Sequence, residues 1–263
     1  IMGVIGKGAF WRYSGVIGVL IPLAVSFYYT FIASWCLGYF YAYLTGGMTI
    51  DPSTAIATQT AASTSFYNDF TGTAGNGIFF GGLGIPTIAF WAIAFGMNIF
   101  LIMRGISKGI EKFVSFAMPL MAVCALIVLI RVLTLGTPDP SLPDQNVMGG
   151  LAYMWNPDYS ALRNPQTWLA AAGQIFFSIS VGFGIILNYA SYMKQDDDVA
   201  LSGLTAAATN EVFEVGFGGL ITLTASFVFL GLSGTIAAAA GGTFGLGFQT
   251  LPVARDHRII AVQ

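Results

Sequence analysis

Five apolar segments, each long enough to cross a lipid bilayer, constrain this chain more than any other feature. They cover residues 14–44, 85–103, 113–135, 166–193 and 201–232. A spanning helix needs about 20 mostly apolar residues. Lipid offers the backbone no hydrogen-bonding partner, so long apolar segments of this kind must be helical. The sequence therefore predicts an all-α fold, a polytopic bundle of membrane helices within residues 1–252.

The charge content supports the same class. Of 263 residues, 8% are charged, whereas soluble domains carry about 25%. The net charge of −2 and the lack of a basic run argue against nucleic acid as a partner. Cys36 and Cys124 lie in apolar runs and argue against a disulfide framework. With His257 as the single histidine, a His/Cys zinc site is not predicted.

The basic residues indicate the orientation of the helices. Arg104, Lys108 and Lys112 lie in one short connection and Lys194 in another, whereas residues 45–84 contain no lysine or arginine. Lysine and arginine concentrate in cytoplasmic loops. We therefore expect the short connections to be cytoplasmic and the long ones external, in a multi-pass protein of the plasma membrane that contacts the lipid bilayer.

Three long connections and the end of the chain complete the organisation. Residues 45–84, 136–165 and 233–252 are rich in Gly, Ala, Ser, Thr, Pro and Asp, and we expect them to be loops. Residues 253–263 resemble neither a membrane helix nor an ordinary cytoplasmic tail, and are expected to be an atypical tail. Together with the start at Ile1, they suggest a piece of a longer protein.

The fourth apolar segment is interrupted near its middle. The stretch Ser-Ile-Ser-Val-Gly-Phe-Gly occupies residues 178–184. Unwound backbone at membrane depth survives only where it faces protein or lines a cavity, and broken helices of this kind form the binding sites of secondary transporters. The alternative is an unbroken helix whose small residues pack against a neighbour. The spacing alone does not separate the two.

Three longer stretches carry a family resemblance. They are AAGQIFFSISVGFGIILNYASYMKQDDDVALSGLTAAATNE at residues 171–211, RGISKGIEKFVSFAMPL at 104–120 and IPLAVSFYYTFIASW at 21–35. The first stretch resembles the sixth helix, the following loop and the seventh helix of the neurotransmitter:sodium symporter family. The second resembles the loop between helices four and five of that family, and the third resembles its third helix. The similarity is greatest to the bacterial branch typified by the leucine transporter.

The resemblance implies a fold and a function. The fold would be part of an inverted-repeat transporter with a broken helix, roughly its helices three to seven, which holds about half of the central site. The function would be sodium-coupled symport of a neutral, hydrophobic amino acid that does not depend on chloride. Sodium would be the coupling ion, the amino acid the substrate, and the protein would not be an enzyme.

The same resemblance assigns the substrate contacts. Tyr29 would contact the substrate carboxylate and form an outer gate with Phe177, and the neighbouring Tyr28 is a weaker candidate. The remaining contacts would be Val25, Ser178, Ser180 and Phe183. Each could instead be an ordinary packing residue of a membrane helix.

The ion site is assigned in the same way. Ser178 and Asn210 resemble the family's oxygen ligands for sodium, and neutral hydroxyl and amide oxygens suit a hard cation. Gln174 would support this site by hydrogen bonding. Tyr192 resembles a residue of the intracellular gate.

Glu214 discriminates most between branches of the family. It lies four residues after Asn210, on the same helical face, and an ionisable group in a membrane helix is a functional hypothesis by default. Chloride-dependent members have a serine at the matching place, whereas a carboxylate there makes chloride unnecessary. Glu214 would then be the fixed countercharge of the sodium ion. The alternative is a carboxylate at a helix end that faces water.

Two rival functions remain. An intramembrane enzyme could use Glu214 and Tyr29 as acid and base, but the chain has no Cys/His constellation. A truncated, inactive fragment is the other alternative. An Asn- and Gly-rich interrupted helix encoded before Ile1 would decide in favour of the transporter.

Overall fold

The computed structural model describes residues 6, 9–51, 53–73, 75, 83–240 and 242–256. Within these residues all regular structure is helical and no strand occurs. The predicted all-α fold is confirmed. Residues 257–263, most of the predicted atypical tail, lie outside the described residues.

The described part of the chain is a succession of helices. In chain order they are α1 (Ala9–Ser14), α2 (Ile17–Thr45), α3 (Ile56–Thr71), α4 (Thr87–Met103), a π-helix (Ile106–Glu111), α5 (Lys112–Leu133), α6 (Val147–Trp155), a 3₁₀ helix (Tyr159–Arg163), α7 (Pro165–Ser178), α8 (Ile185–Ala190), α9 (Val199–Glu211), a second π-helix (Val212–Gly219), α10 (Leu220–Ala240) and α11 (Thr243–Asp256).

Three continuous helical stretches are long and apolar enough to cross a membrane. Among the described residues they are Ile17–Thr45, Ile106–Leu133 and Val199–Ala239. Helix α4 is a shorter apolar helix of 17 residues, at the lower end of the length that spans hydrocarbon. The segment predicted over residues 166–193 is divided into α7 and α8, so the predicted break is present.

The chain forms two compact units. One comprises Ile1–Phe31 and Pro157–Glu214, and the other Ile32–Asn156 and Val215–Gln263. The divisions fall inside α2 and inside the second π-helix. All candidate site residues named above belong to the first unit.

The second unit is organised around α10. This helix packs on α11, α6, α5 and α3. The centre of the contact consists of buried aliphatic side chains and one phenylalanine: Val132, Leu135, Val147, Ile221, Val228, Phe229 and Val253. A smaller aromatic cluster joins Tyr39 of α2, Phe70 of α3 and Phe90 of α4. These two clusters form the described hydrophobic core of the second unit.

The three segments expected to be loops contain helices, and that prediction is wrong. Residues 45–84 contain α3, residues 136–165 contain α6 and the 3₁₀ helix, and residues 233–252 belong to α10 and α11. Their Ser and Thr residues become helical because tertiary packing outweighs weak intrinsic preference. For example, Ser63 of α3 is fully buried.

The predicted tail also begins differently. Helix α11 continues to Asp256, and Val253 and Ala254 are buried in the core of the second unit. Val253 and Ala254 are therefore part of the packed fold, since neighbouring helices cover their apolar side chains.

Candidate functional site

Helix α7, which leads into the break, has a well-defined start. Asn164 accepts a hydrogen bond from the backbone N–H of Gln166 at 3.0 Å, and Pro165 occupies the first helical turn. Both are standard features of helix N-termini. In the preceding 3₁₀ helix, hydrogen bonds from the Ser160 side chain and backbone lower the pKa of Asp158. These contacts fix the N-terminal end of α7.

The break begins with a complete helix C-cap. Ser180 has φ +56°, and its N–H donates to the Phe177 carbonyl at 3.1 Å, while the Val181 N–H donates to the Phe176 carbonyl at 3.0 Å. These two bonds define a Schellman motif, in which glycine normally occupies the left-handed position. A serine there carries a backbone cost of roughly 1–2 kcal/mol, a strain of the kind found at functional sites.

The break ends where the backbone comes very close to α2. Gly184 has φ +75° and precedes Ile185, the first residue of α8. A Cβ atom on Gly184 would overlap the carbonyl oxygen of Gly18 in α2. Only glycine allows both this left-handed conformation and this approach of two backbones. The end of the break is therefore held against α2.

Helix α9 starts at an acidic turn. Asp198 accepts from the backbone N–H of Leu201 at 2.9 Å, and Asp197 accepts from the Lys194 N–H at 2.8 Å. An aspartate at this position satisfies a free helix N–H and interacts well with the helix dipole. The helix then continues into the second π-helix, whose first turn contains Glu214.

Four of the predicted residues are joined by hydrogen bonds. Gln174 Nε2 donates to Glu214 Oε1 at 2.6 Å and to Ser178 Oγ at 3.3 Å. Asn210 Nδ2 donates to Glu214 Oε2 at 3.1 Å and to the backbone carbonyl of Ser178 at 3.2 Å. We call Gln174, Ser178, Asn210 and Glu214 the polar cluster. It links the end of α7 to the end of α9.

The charge of the polar cluster is not balanced by a basic side chain. Both oxygens of the half-buried Glu214 accept from neutral amides, and no lysine or arginine in the described part of the chain forms an ion pair with it. Amide donors orient a carboxylate without neutralising it. The Ser178 hydroxyl keeps a free lone pair after accepting from Gln174, and no described donor bonds the Asn210 amide oxygen. A hard cation could use both oxygens beside the carboxylate.

The predicted substrate contacts lie on two elements of the first unit. Val25 and Tyr29 are one turn apart on α2, and the Tyr29 ring lies 4.9 Å from the Tyr28 ring. Phe177 and Phe183 flank the break, with ring centroids 5.9 Å apart in an edge-to-face contact. The gate predicted between Tyr29 and Phe177 stays a prediction, as do the roles of Ser180 and the other contacts.

Tyr192 lies in the turn after α8, where its backbone N–H donates to the Tyr189 carbonyl at 3.0 Å. Its side chain is 63% exposed, and its assignment to an intracellular gate stays a prediction.

Two structural features were missed from the sequence. They are the direct bond between Gln174 and Glu214 and the approach of Gly184 to Gly18. The signal for the second was a glycine in each of two apolar segments, which often marks close helix packing. No group of three His, Cys, Asp or Glu side chains lies together among the described residues.

Comparison with known proteins covers almost all of the described chain. The sequence profile of the sodium:neurotransmitter symporter family matches residues 9–256. An uncharacterised sodium-dependent transporter of Methanocaldococcus jannaschii is 28% identical over 248 residues, which cover 94% of this chain and 46% of that protein.

Two further relatives agree with this match. An uncharacterised sodium-dependent transporter of Haemophilus influenzae is 28% identical, with 96% of this chain and 49% of that protein covered. A sodium- and chloride-dependent transporter of Rattus norvegicus is 33% identical over 50% of this chain and 20% of its own. The chain spans about half the length of the Methanocaldococcus jannaschii and Haemophilus influenzae transporters. With its apolar spanning helices and its match over residues 9–256, this chain is a membrane protein that belongs to the sodium:neurotransmitter symporter family.

Proposed function

We propose that the full-length protein carrying this chain is a sodium-coupled symporter for neutral, hydrophobic amino acids, and that it works without chloride as a multi-pass protein of the plasma membrane. The observation that carries the proposal is the polar cluster. It holds a carboxylate with amide donors beside two uncharged oxygens, and no described basic residue balances the charge.

Sodium would be the cation that balances Glu214. In the proposed site the Ser178 hydroxyl and the Asn210 amide oxygen are ligands of the sodium ion. The negative charge of Glu214 favours the ion through the hydrogen bonds that Asn210 and Gln174 donate to the carboxylate. The carboxylate of the bound amino acid would lie beside the same ion, and this coupling would make substrate affinity depend on sodium. Chloride is unnecessary because the countercharge belongs to the protein.

The substrate class follows from the side chains expected to line the pocket. Val25, Phe177 and Phe183 are apolar, and Ser180 is small and uncharged. A charged substrate side chain placed among them would lose its hydration without gaining a partner, which costs several kcal/mol. Neutral, apolar amino acids fit such a lining best.

Uptake into proteoliposomes tests the proposal. The full-length protein should accumulate labelled leucine or another apolar amino acid only when sodium is higher outside, and equally in chloride and gluconate. Lysine and glutamate should not compete. Uptake that ignores the sodium gradient would refute the coupling, and uptake lost in gluconate would refute the assignment of Glu214.

A further inference from the structure

A second polar site lies in the other unit, where α4 meets α5. A cavity of about 430 Å³ is lined by three basic side chains, Arg104, Lys108 and Lys112, and by three aromatic ones, Phe100, Phe113 and Phe116. None of these residues belongs to the polar cluster or to the predicted substrate contacts. The cavity combines positive charge with apolar walls.

The backbone between the two helices brings the basic residues together. The chain from Ile106 to Glu111 is a π-helix, in which the Ile110 N–H donates to the Gly105 carbonyl at 3.3 Å. A Cβ atom on the buried Gly109 would overlap the Leu101 carbonyl oxygen. Glycine at this position therefore lets the π-helix lie directly against the end of α4. This contact encloses the floor of the cavity.

The three cations have no acidic partner in the part of the chain that the structure describes. The Arg104 guanidinium lies 4.8 Å from the centroid of the Phe100 ring, and neither lysine forms an ion pair with a described carboxylate. Glu111 lies in the same π-helix but does not line the cavity. Clustered Arg and Lys side chains without carboxylates are suited to phosphate oxygens.

The walls of the cavity continue onto an exposed apolar helix surface. Phe116 of α5 is 71% exposed and Met103 at the end of α4 is 82% exposed. No residue in the most apolar 18-residue window of the spanning stretch Ile106–Leu133 is buried within the described protein. A free phosphate would gain nothing from such walls, whereas a ligand with hydrocarbon chains would cover them.

We propose that this cavity binds one anionic phospholipid of the bilayer. The phosphate lies among Arg104, Lys108 and Lys112, and the acyl chains run along the aromatic side chains of α5. Basic pockets between membrane helices are suited to such head groups. The inference does not depend on the proposed transport function, since it rests on the other unit and on a different ligand.

Native mass spectrometry of the full-length protein in a neutral detergent tests the proposal. The probes are dioleoylphosphatidylglycerol, dioleoylphosphatidylcholine and water-soluble glycerol 1-phosphate. The test variant is Lys108→Gln/Lys112→Gln, and the control Arg163→Gln/Lys194→Gln removes the same charge elsewhere. Each basic residue near an anionic head group contributes about a five-fold change in affinity, so the test variant, which lacks two of them, should bind phosphatidylglycerol about 25-fold more weakly.

Three results together would support the site. The affinities of the wild type and of the control for phosphatidylglycerol should agree within about two-fold. Phosphatidylcholine should bind both much more weakly. The variant Lys108→Arg/Lys112→Arg should retain phosphatidylglycerol binding. Equal phosphatidylglycerol binding by the test variant would overturn the proposal. Glycerol 1-phosphate binding as tight as that of the lipid would also overturn it, because it would assign the cations to a free phosphate. Melting temperatures in lipid-free detergent show whether each variant is folded.

Discussion

Replacing Glu214 by serine removes the one charge in the polar cluster and opens space beside Asn210. In the structure both carboxylate oxygens are held by amide donors, from Gln174 at 2.6 Å and from Asn210 at 3.1 Å. The replacement leaves those two amides without their acceptor. If sodium binds at Ser178 and Asn210, it also leaves the ion without a countercharge.

The loss of affinity can be worked out from the position of Asn210. Oxygen ligands of hard cations lie about 2.4 Å from the ion, so sodium on the amide oxygen would be about 5–6 Å from the carboxylate. Opposite unit charges at that distance attract by roughly 3 kcal/mol at an effective dielectric constant near 20. That energy corresponds to an upper limit of about 100-fold in affinity. Glu214 is half-buried, so solvent screening reduces the effect, and we expect the sodium requirement to rise about 10-fold or more.

The assay is uptake of labelled amino acid into proteoliposomes, with sodium titrated in chloride and in gluconate. The wild type should give the same curve in both anions. Glu214→Ser should transport only in chloride, since the anion can enter the vacated space. Glu214→Gln removes the charge without opening space, so chloride should not restore it. The matched control is Glu211→Gln, an exposed glutamate one residue before the second π-helix, which should behave as wild type.

Two results would refute this reasoning. The first is a wild type that requires chloride, because its countercharge would then not be Glu214. The second is a Glu214→Ser variant with full activity in gluconate. That outcome would favour the alternative, in which Glu214 is a carboxylate that faces water.

The remaining predictions concern the same unit. Asn210→Ala should raise the half-saturating sodium concentration for uptake, and Ser178→Ala should raise it less because a backbone carbonyl can partly replace the hydroxyl; unchanged sodium curves in both would contradict the ion site. Gly184→Ala should abolish folding or lower the melting temperature strongly, because its methyl group would overlap the α2 backbone. The control Gly203→Ala has open space in α9 and should leave the melting temperature unchanged or higher. Ser180→Gly should stabilise the protein by about 1 kcal/mol in thermal unfolding, since glycine adopts the left-handed conformation without a Cβ penalty; a lower melting temperature would contradict the assigned C-cap.

The two glycines and two serines in the fourth apolar segment left a broken and an unbroken helix open, and the family resemblance favoured the break. Its detailed geometry was not predictable. A Schellman motif usually has glycine at the left-handed position. The structure has Ser180 there, where the backbone satisfies the last carbonyls of α7.

The helices inside the long connections were harder to predict. Helix α3 consists largely of Ala, Ser and Thr, which give no clear amphipathic pattern, and its fully buried Ser63 shows that packing decides its conformation. Local signals did exist elsewhere. Asn146 caps α6 by accepting from the Gly149 N–H at 2.8 Å, and an asparagine at such a position is a recognisable helix start.

The polar cluster was predictable in part. The spacing of Asn210 and Glu214 places them on one helical face, and their hydrogen bond agrees with that spacing. Gln174 and Glu214 are 40 residues apart, and no periodicity connects positions in different helices. Their contact depends on how α7 and α9 pack, which only the structure gives.

The C-cap at Ser180 has a consequence for motion. Because the Phe176 and Phe177 carbonyls are already bonded within the cap, α7 ends without depending on α8 for its backbone hydrogen bonds. The two half-helices can therefore change their mutual angle through torsions in residues 179–184 alone, and no helical turn has to unfold. Hinges of this kind absorb a change in φ and ψ over a few residues. In a transporter that must open alternately to two sides, such a hinge would speed up the conformational change. The activation barrier would then require rotation about backbone bonds but no loss of helical hydrogen bonds.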